Sequence, residues 1–153
     1  MHFELITPER VVFRQEVDQV TLPTAEGEIT VLPQHIPLVA ALVPGIARLK
    51  TGGQVEEVAV SGGFIEVGGD NVRVLADTAE RGEELDLTAI EQAKTRAQKV
   101  MREAVQADDK SYAMAMAGME REMARYKLAK RYKSPKHTPT IDSASLPPDV
   151  NRV

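Results

Sequence analysis

The spacing of apolar and polar positions changes character once along the chain, near residue 85. Before it, residues 3–7 (FELIT) and 11–22 (VVFRQEVDQVTL) are rich in Phe, Val, Ile, Leu and Thr. In the second run Val17, Gln19 and Thr21 alternate with Asp18, Val20 and Leu22, the period of a half-buried strand. Val55, Val58 and Val60 lead into SGG (61–63), FIEV (64–67) leads into GGDN (68–71), and VRVLA (72–76) follows. Gly-Gly and Asp-Asn pairs between short β-prone runs supply the positive φ that hairpin turns require, so SGG and GGDN both read as turns. Short strands with a turn signal every ten residues or so predict an antiparallel β-sandwich or barrel, not a parallel sheet with crossover helices.

After residue 85 the period becomes helical. Asp86 stands as an N-cap, and Ile90, Ala93, Ala97, Val100, Met101, Ala104 and Val105 form one apolar stripe. The pattern predicts an amphipathic helix over 86–107, about 33 Å long. ADDKS (107–111) interrupts it with acidic residues and a Ser suited to capping a second helix. There Tyr112, Met116, Met119, Met123 and Tyr126 step by four, three, four and three, a heptad seam. Met repacks at little cost, so such a seam suits plain packing on the first helix or a helix that changes partners.

Composition divides the chain in three. Nine of the ten Gly lie at or before Gly82, and the nine Pro fall within 8–44 and 135–148. The segment 1–84 carries 6 basic and 14 acidic residues, 85–133 carries 11 and 7, and 134–153 carries 2 of each. The formal charge of −4 therefore hides −8, +4 and 0. The expected organisation is a β-sandwich domain over 1–84, an α-helical hairpin over 85–133 and a Pro-rich tail over 134–153. The tail is too poor in large apolar residues to fold by itself, and is expected to be disordered or loosely docked. No window approaches the roughly 18 apolar residues of a membrane span, and MHFELITPER lacks a signal pattern, so membrane contact is expected only through a partner.

Catalytic chemistry is scarce. The chain has no Cys, and its three His (His2, His35, His137) are far apart in sequence with no metal-ligand spacing. None of the Ser lies in a nucleophile elbow, and no Gly-rich run has the form of a P-loop or a dinucleotide fingerprint. No catalytic residue, metal ligand or cofactor is expected, and the chain reads as non-enzymatic. Two features remain. The segment PTAEGEITVLPQHIPL (23–38) reads as a loop whose three Pro mark strand edges, with Glu28 and His35 as its candidate contact residues. The second helix ends in Arg121, Arg125, Lys127, Lys130, Arg131 and Lys133. The helix dipole favours cations there, and the face they form suits an acidic protein surface better than nucleic acid. The first segment is itself acidic, which disfavours nucleic acid as the partner.

Three motifs in order, AEGEITVLPQHIPL (25–38), SGGFIEV (61–67) and VLADTAERGEELD (74–86), precede the two-helix hairpin. With them the chain resembles the epsilon-subunit family of bacterial and chloroplast F-type ATP synthases, the counterpart of the mitochondrial delta subunit. The resemblance spans roughly residues 3–133. It implies a non-catalytic subunit of the central stalk, coupling proton flow through the rotor ring to ATP synthesis via the gamma subunit. The location implied is peripheral, on the cytoplasmic face of the bacterial cell membrane. By position in the first motif, Glu28 is implied as the contact to the rotor-ring c subunits and His35 as a gamma-subunit contact.

The hairpin of such proteins folds against the sandwich or extends along gamma into the alpha/beta catalytic head, where basic residues meet an acidic loop and hydrolysis is inhibited. Arg121, Arg125, Lys130 and Arg131 are the implied inhibitory face. Some relatives bind ATP through an Ile/Leu-Asp-x-x-Arg-Ala motif. The stretch 110–115 (KSYAMA) at the start of the second helix lacks its Asp and Arg, so no nucleotide-binding residue is expected. From the residues alone, two other classes stay open. One is a free-standing β-sandwich binding module that self-associates through its hairpin; the other is a nucleic-acid adaptor with salt-dependent binding.

Overall fold

β-Branched and aromatic residues fill eight strands before the first helix. In the computed structural model, which describes residues 1–133, these are β1 (His2–Ile6), β2 (Val11–Glu16), β3 (Gln19–Thr24), β4 (Gly27–Val31), β5 (Leu38–Leu42), β6 (Gly45–Thr51), β7 (Gln54–Gly68) and β8 (Asn71–Arg81). A 3₁₀ turn (Gly82–Glu84) leads into α1 (Leu87–Ala104) and α2 (Asp109–Lys133). The Pro-rich tail expected over 134–153 lies outside the described residues.

The strands bond in the order β2-β1-β8-β7-β5-β3-β4, with β6 pairing β3 and β7. Only β1 and β8 run parallel. At 15 residues, β7 is long enough to pair with β6 through its first half and β5 through its second, which folds the sheet over into a sandwich. Phe3, Leu5, Val20, Leu22, Leu49, Val58, Val60, Ile65 and Val74 are among the side chains buried between its layers.

The sandwich-then-hairpin expectation holds, and three local expectations do not. GGDN is a turn, with Gly69 at φ +60° between the paired Gly68 and Asn71. SGG is not, for it lies inside β7 where that strand passes from β6 to β5. Gly63 has φ +134°, and a Cβ there would sit 1.9 Å from the Leu75 carbonyl oxygen, so its glycine serves a close strand crossing. Second, the segment 23–38 is not all loop, since it contains β4. Pro23 is inside β3, where the neighbouring strand changes from β6 to β5, and that break tolerates a residue without an N–H. Third, residues 11–22 divide at Val17–Asp18 into β2 and β3. Nor is β3 half-buried: Val20 to Thr24 are all buried, with the Thr21 and Thr24 hydroxyls bonded to Thr30 and to the Gly27 carbonyl.

Asp86 caps α1, accepting from the N–H groups of Thr88 (2.9 Å) and Ala89 (3.2 Å). The helix ends at Ala104, three residues earlier than expected, in a turn closed by the Ala107 N–H on the Ala104 carbonyl. Asp108 accepts from the Ser111 N–H (2.8 Å) and hydroxyl (3.0 Å), which pulls its carboxyl below the ordinary aspartate value.

The Tyr/Met seam is not the buried face of α2. Ala115, Glu122, Ala124, Leu128 and Ala129 are buried, whereas Tyr112 and Met116 are exposed and Met119, Met123 and Tyr126 half-buried. Alanine side chains let α2 lie close to its neighbours, which leaves the longer Met side chains at the rim. A second, smaller core of Ile46, Ala59, Leu85, Ile90, Leu128 and Ala129 joins the hairpin to β6 and β7. Among the described residues no helix is long and apolar enough to cross a membrane.

Candidate functional site

At the contact between α2 and the sandwich stands Glu122, the one buried charged residue among those described. Arg125 donates from Nε and Nη2 to the two carboxylate oxygens of Glu80 on β8, the second at 3.0 Å, and from Nη1 to Glu122 at 2.7 Å. The Glu122 side chain is only 6% exposed, and Arg121 reaches its other oxygen at 3.4 Å. A carboxylate so buried is tolerable because cations hold it. Burial disfavours the Arg125 cation, but the hydrogen bonds to Glu80 and Glu122 outweigh that and hold its pKa above the ordinary arginine value. Six residues further on, Arg131 bonds to Glu57 on β7. Lys130 lies 5.7 Å from the Tyr126 ring, which also carries Lys94 of α1 at 4.3 Å.

The junction between sandwich and hairpin is built to receive that helix. Gly82 presses against the Tyr132 ring so closely that an added Cβ would meet its Cδ2 at 2.7 Å. Glu84 accepts from the Arg81 N–H and from Arg10, both at 2.8 Å. Burial would raise its pKa, yet those hydrogen bonds prevail and keep it below the ordinary glutamate value.

Of the residues singled out from sequence, Arg125 and Arg131 thus meet on the sandwich, Arg121 binds within α2, and Lys130 faces an aromatic ring. Glu28 is on β4, paired with Arg48 of β6 at 2.6 Å. Both border a cleft of about 590 Å³ between sandwich and hairpin, walled by Met101, Met116, Met119 and Met123 against Pro23 and Ile46. His35 is elsewhere, half-buried in the loop after β4, with Nδ1 2.7 Å from the Ile36 carbonyl oxygen. A Leu-Asp pair with the spacing of the nucleotide motif stands at Leu85–Asp86, ahead of α1, with Ala89 and Ile90 where the motif has Arg and Ala. No group of three or more His, Cys, Asp or Glu among the described residues could hold a metal.

One surface escaped the sequence reading. Ala41, Phe64 and Leu75 stand opposite one another across β5, β7 and β8, with Val39 two residues along, and Phe64 is 63% and Val39 72% exposed. Leu32 and Ile36 beside His35 are exposed as well. A contiguous apolar patch on an otherwise charged surface marks an interaction face. Its signal was present in FIEV, where burial alternates: Ile65 and Val67 point inward, so Phe64 and Glu66 point out.

Residues 1–82 match the family described as ATP synthase, Delta/Epsilon chain, beta-sandwich domain. The chain is 45% identical over 130 residues to the ATP synthase epsilon chain of Moorella thermoacetica, covering 84% of this chain and 96% of that one. It is 50% identical over 95 residues to the ATP synthase epsilon chain of Desulforamulus reducens, covering 62% and 72%. Among solved structures it resembles a chain of the Euglena gracilis mitochondrial ATP synthase OSCP/F1/c-ring assembly, with a TM-score of 0.68 and 26% identity over 80% of this chain and 76% of that one. A chain of the Tetrahymena thermophila mitochondrial ATP synthase central stalk and c-ring shares the fold, with a TM-score of 0.57 and 14% identity over 84% and 96%.

Proposed function

The chain belongs to the delta/epsilon family of ATP synthase subunits, among the epsilon chains of the central stalk, and from that premise we propose that it is a non-catalytic coupling subunit whose hairpin restrains ATP hydrolysis. In this reading the sandwich is the anchor. The exposed row of Phe64, Leu75 and Val39, with His35 in the neighbouring loop, meets the gamma subunit. Glu28 meets the polar loops of the rotor-ring c subunits and so helps couple proton flow to rotation. The complex holds the chain peripherally on the cytoplasmic face of the membrane. When α2 leaves the sandwich, Arg121, Arg125, Lys130 and Arg131 engage an acidic surface of the alpha/beta head.

The observation that carries the reading is the separation of the two cores. The hairpin rests on the sandwich through a small apolar cluster and ion pairs, and none of its side chains belongs to the cluster buried between the layers. It can therefore depart without opening the sandwich, as contacts between units that move apart require. Deleting residues 86–153 is expected to leave the complex assembled and to raise its ATP hydrolysis. Assembly with unchanged hydrolysis would contradict the inhibitory role and leave the coupling role standing.

A further inference from the structure

The guanidinium groups assigned to inhibition are already engaged. Glu80 stands opposite Ala59 in the β7–β8 register, and Glu57 lies two residues before Ala59 on the same strand, so the three share one face. The two glutamates therefore both adjoin a buried alanine, Glu80 across the strands and Glu57 along β7, and are separated by the roughly 7–8 Å diagonal of adjacent strands. On α2 the complementary pattern appears: Arg125 and Arg131 flank Leu128 and Ala129, both buried in the small core that contains Ala59. Six helical residues place the two arginines about 9 Å apart along the axis. An apolar centre bordered by two carboxylates thus receives an apolar centre bordered by two guanidinium groups. Glu122, by contrast, is on α2 itself and travels with Arg125 wherever the helix goes.

We propose that Glu57 and Glu80 form an internal competitor, an acidic surface of the sandwich that holds Arg131 and Arg125 so that they cannot engage an acidic surface of the catalytic head at the same time. The proposal deepens the inhibitory reading above and rests on it. Inhibition is then set by competition between two acidic partners for one pair of arginines, with Glu122 moving together with Arg125. The competition also makes the docked position sensitive to ionic strength, because the Arg131–Glu57 pair is partly exposed and screened by salt.

The test uses the full chain within the assembled complex. The chain has no cysteine, so Thr51→Cys on the sandwich and Met114→Cys on α2, both at exposed positions away from the Phe64 face, give a unique pair of labels whose separation reports docking. Adding Glu57→Gln and Glu80→Gln removes charge and keeps shape. This change is expected to move the docked-to-extended ratio about ten-fold toward the extended form and to lower ATP hydrolysis. Label distances unchanged by the double substitution overturn the internal competitor. Shifted distances with unchanged hydrolysis overturn the inhibitory reading instead, which the deletion of residues 86–153 checks separately.

Discussion

The two parts of the molecule are held by different forces. In the sandwich nineteen buried side chains, all apolar, form one continuous cluster, whereas six suffice to seat the hairpin and ion pairs supply the rest. Apolar burial is non-directional and is not screened by salt, so the sandwich is a fixed body. Paired charges are directional, screened and exchangeable, so the hairpin is a part that can let go. The division follows the charge along the sequence, since an acidic sandwich faces a basic helix.

The contrast can be broken by substitution. Phe3→Ala, at a side chain fully buried between the layers, is expected to destabilise the whole chain by about 3–5 kcal/mol in chemical denaturation and to prevent assembly. Arg125→Ala should cost about 1–3 kcal/mol, because it strips Glu122 of a partner. That loss should appear as undocking of α2, with the sandwich's own unfolding midpoint nearly unmoved. Gly82→Ala is smaller still, about 1 kcal/mol, since the half-exposed Tyr132 ring can swing from the added methyl. It too should loosen α2 alone, visible as greater solvent exposure of Tyr132 fluorescence.

Acid supplies the mildest contrast. Hydrogen bonds from Arg73, with Arg14 beside it, hold the Glu4 carboxyl on β1 below its ordinary value of 4.5 despite some desolvation. Its folded pKa is depressed, so its contribution is complete above about pH 4.5. It is lost as pH falls from there through the lower folded value. Asp108 at the head of α2 behaves alike from its ordinary value of 3.8 downward. Acid titration should therefore begin to weaken the β1–β2–β8 corner at a higher pH than it begins to fray the first turn of α2, as resolved by amide chemical shifts.

Much of this architecture is local and therefore legible in sequence. The Gly69–Asp70 turn, the Asp86 cap and the two helical periods each depend on residues within a few positions of one another. What escaped depends on partners far along the chain. SGG looks like a turn because nothing nearby says that β8 will cross so closely at Gly63 that no side chain fits. The Met seam has heptad spacing, yet the burial of Ala115, Ala124 and Ala129 is decided by how near α2 comes to the sandwich. The arginines were visible as a basic face, but Glu80 and Glu57 lie 45 and 74 residues before their partners. Only the folded sheet places both glutamates beside Ala59.

The separation of the two cores is tested most directly by thiol labelling at two fully buried alanines, Ala47→Cys between the sandwich layers and Ala129→Cys in the hairpin seat. Cysteine adds a single heavy atom to alanine, a small overpacking at either site, and the chain offers no competing thiol. The thiol at 129 is expected to react faster, to speed up with added salt, and to depend only weakly on denaturant, because it is reached by undocking. The thiol at 47 should react only through global unfolding, with the full denaturant dependence and little response to salt. Equal rates with equal denaturant dependence at the two positions would mean that hairpin and sandwich open as one unit, contrary to a hairpin that can let go by itself.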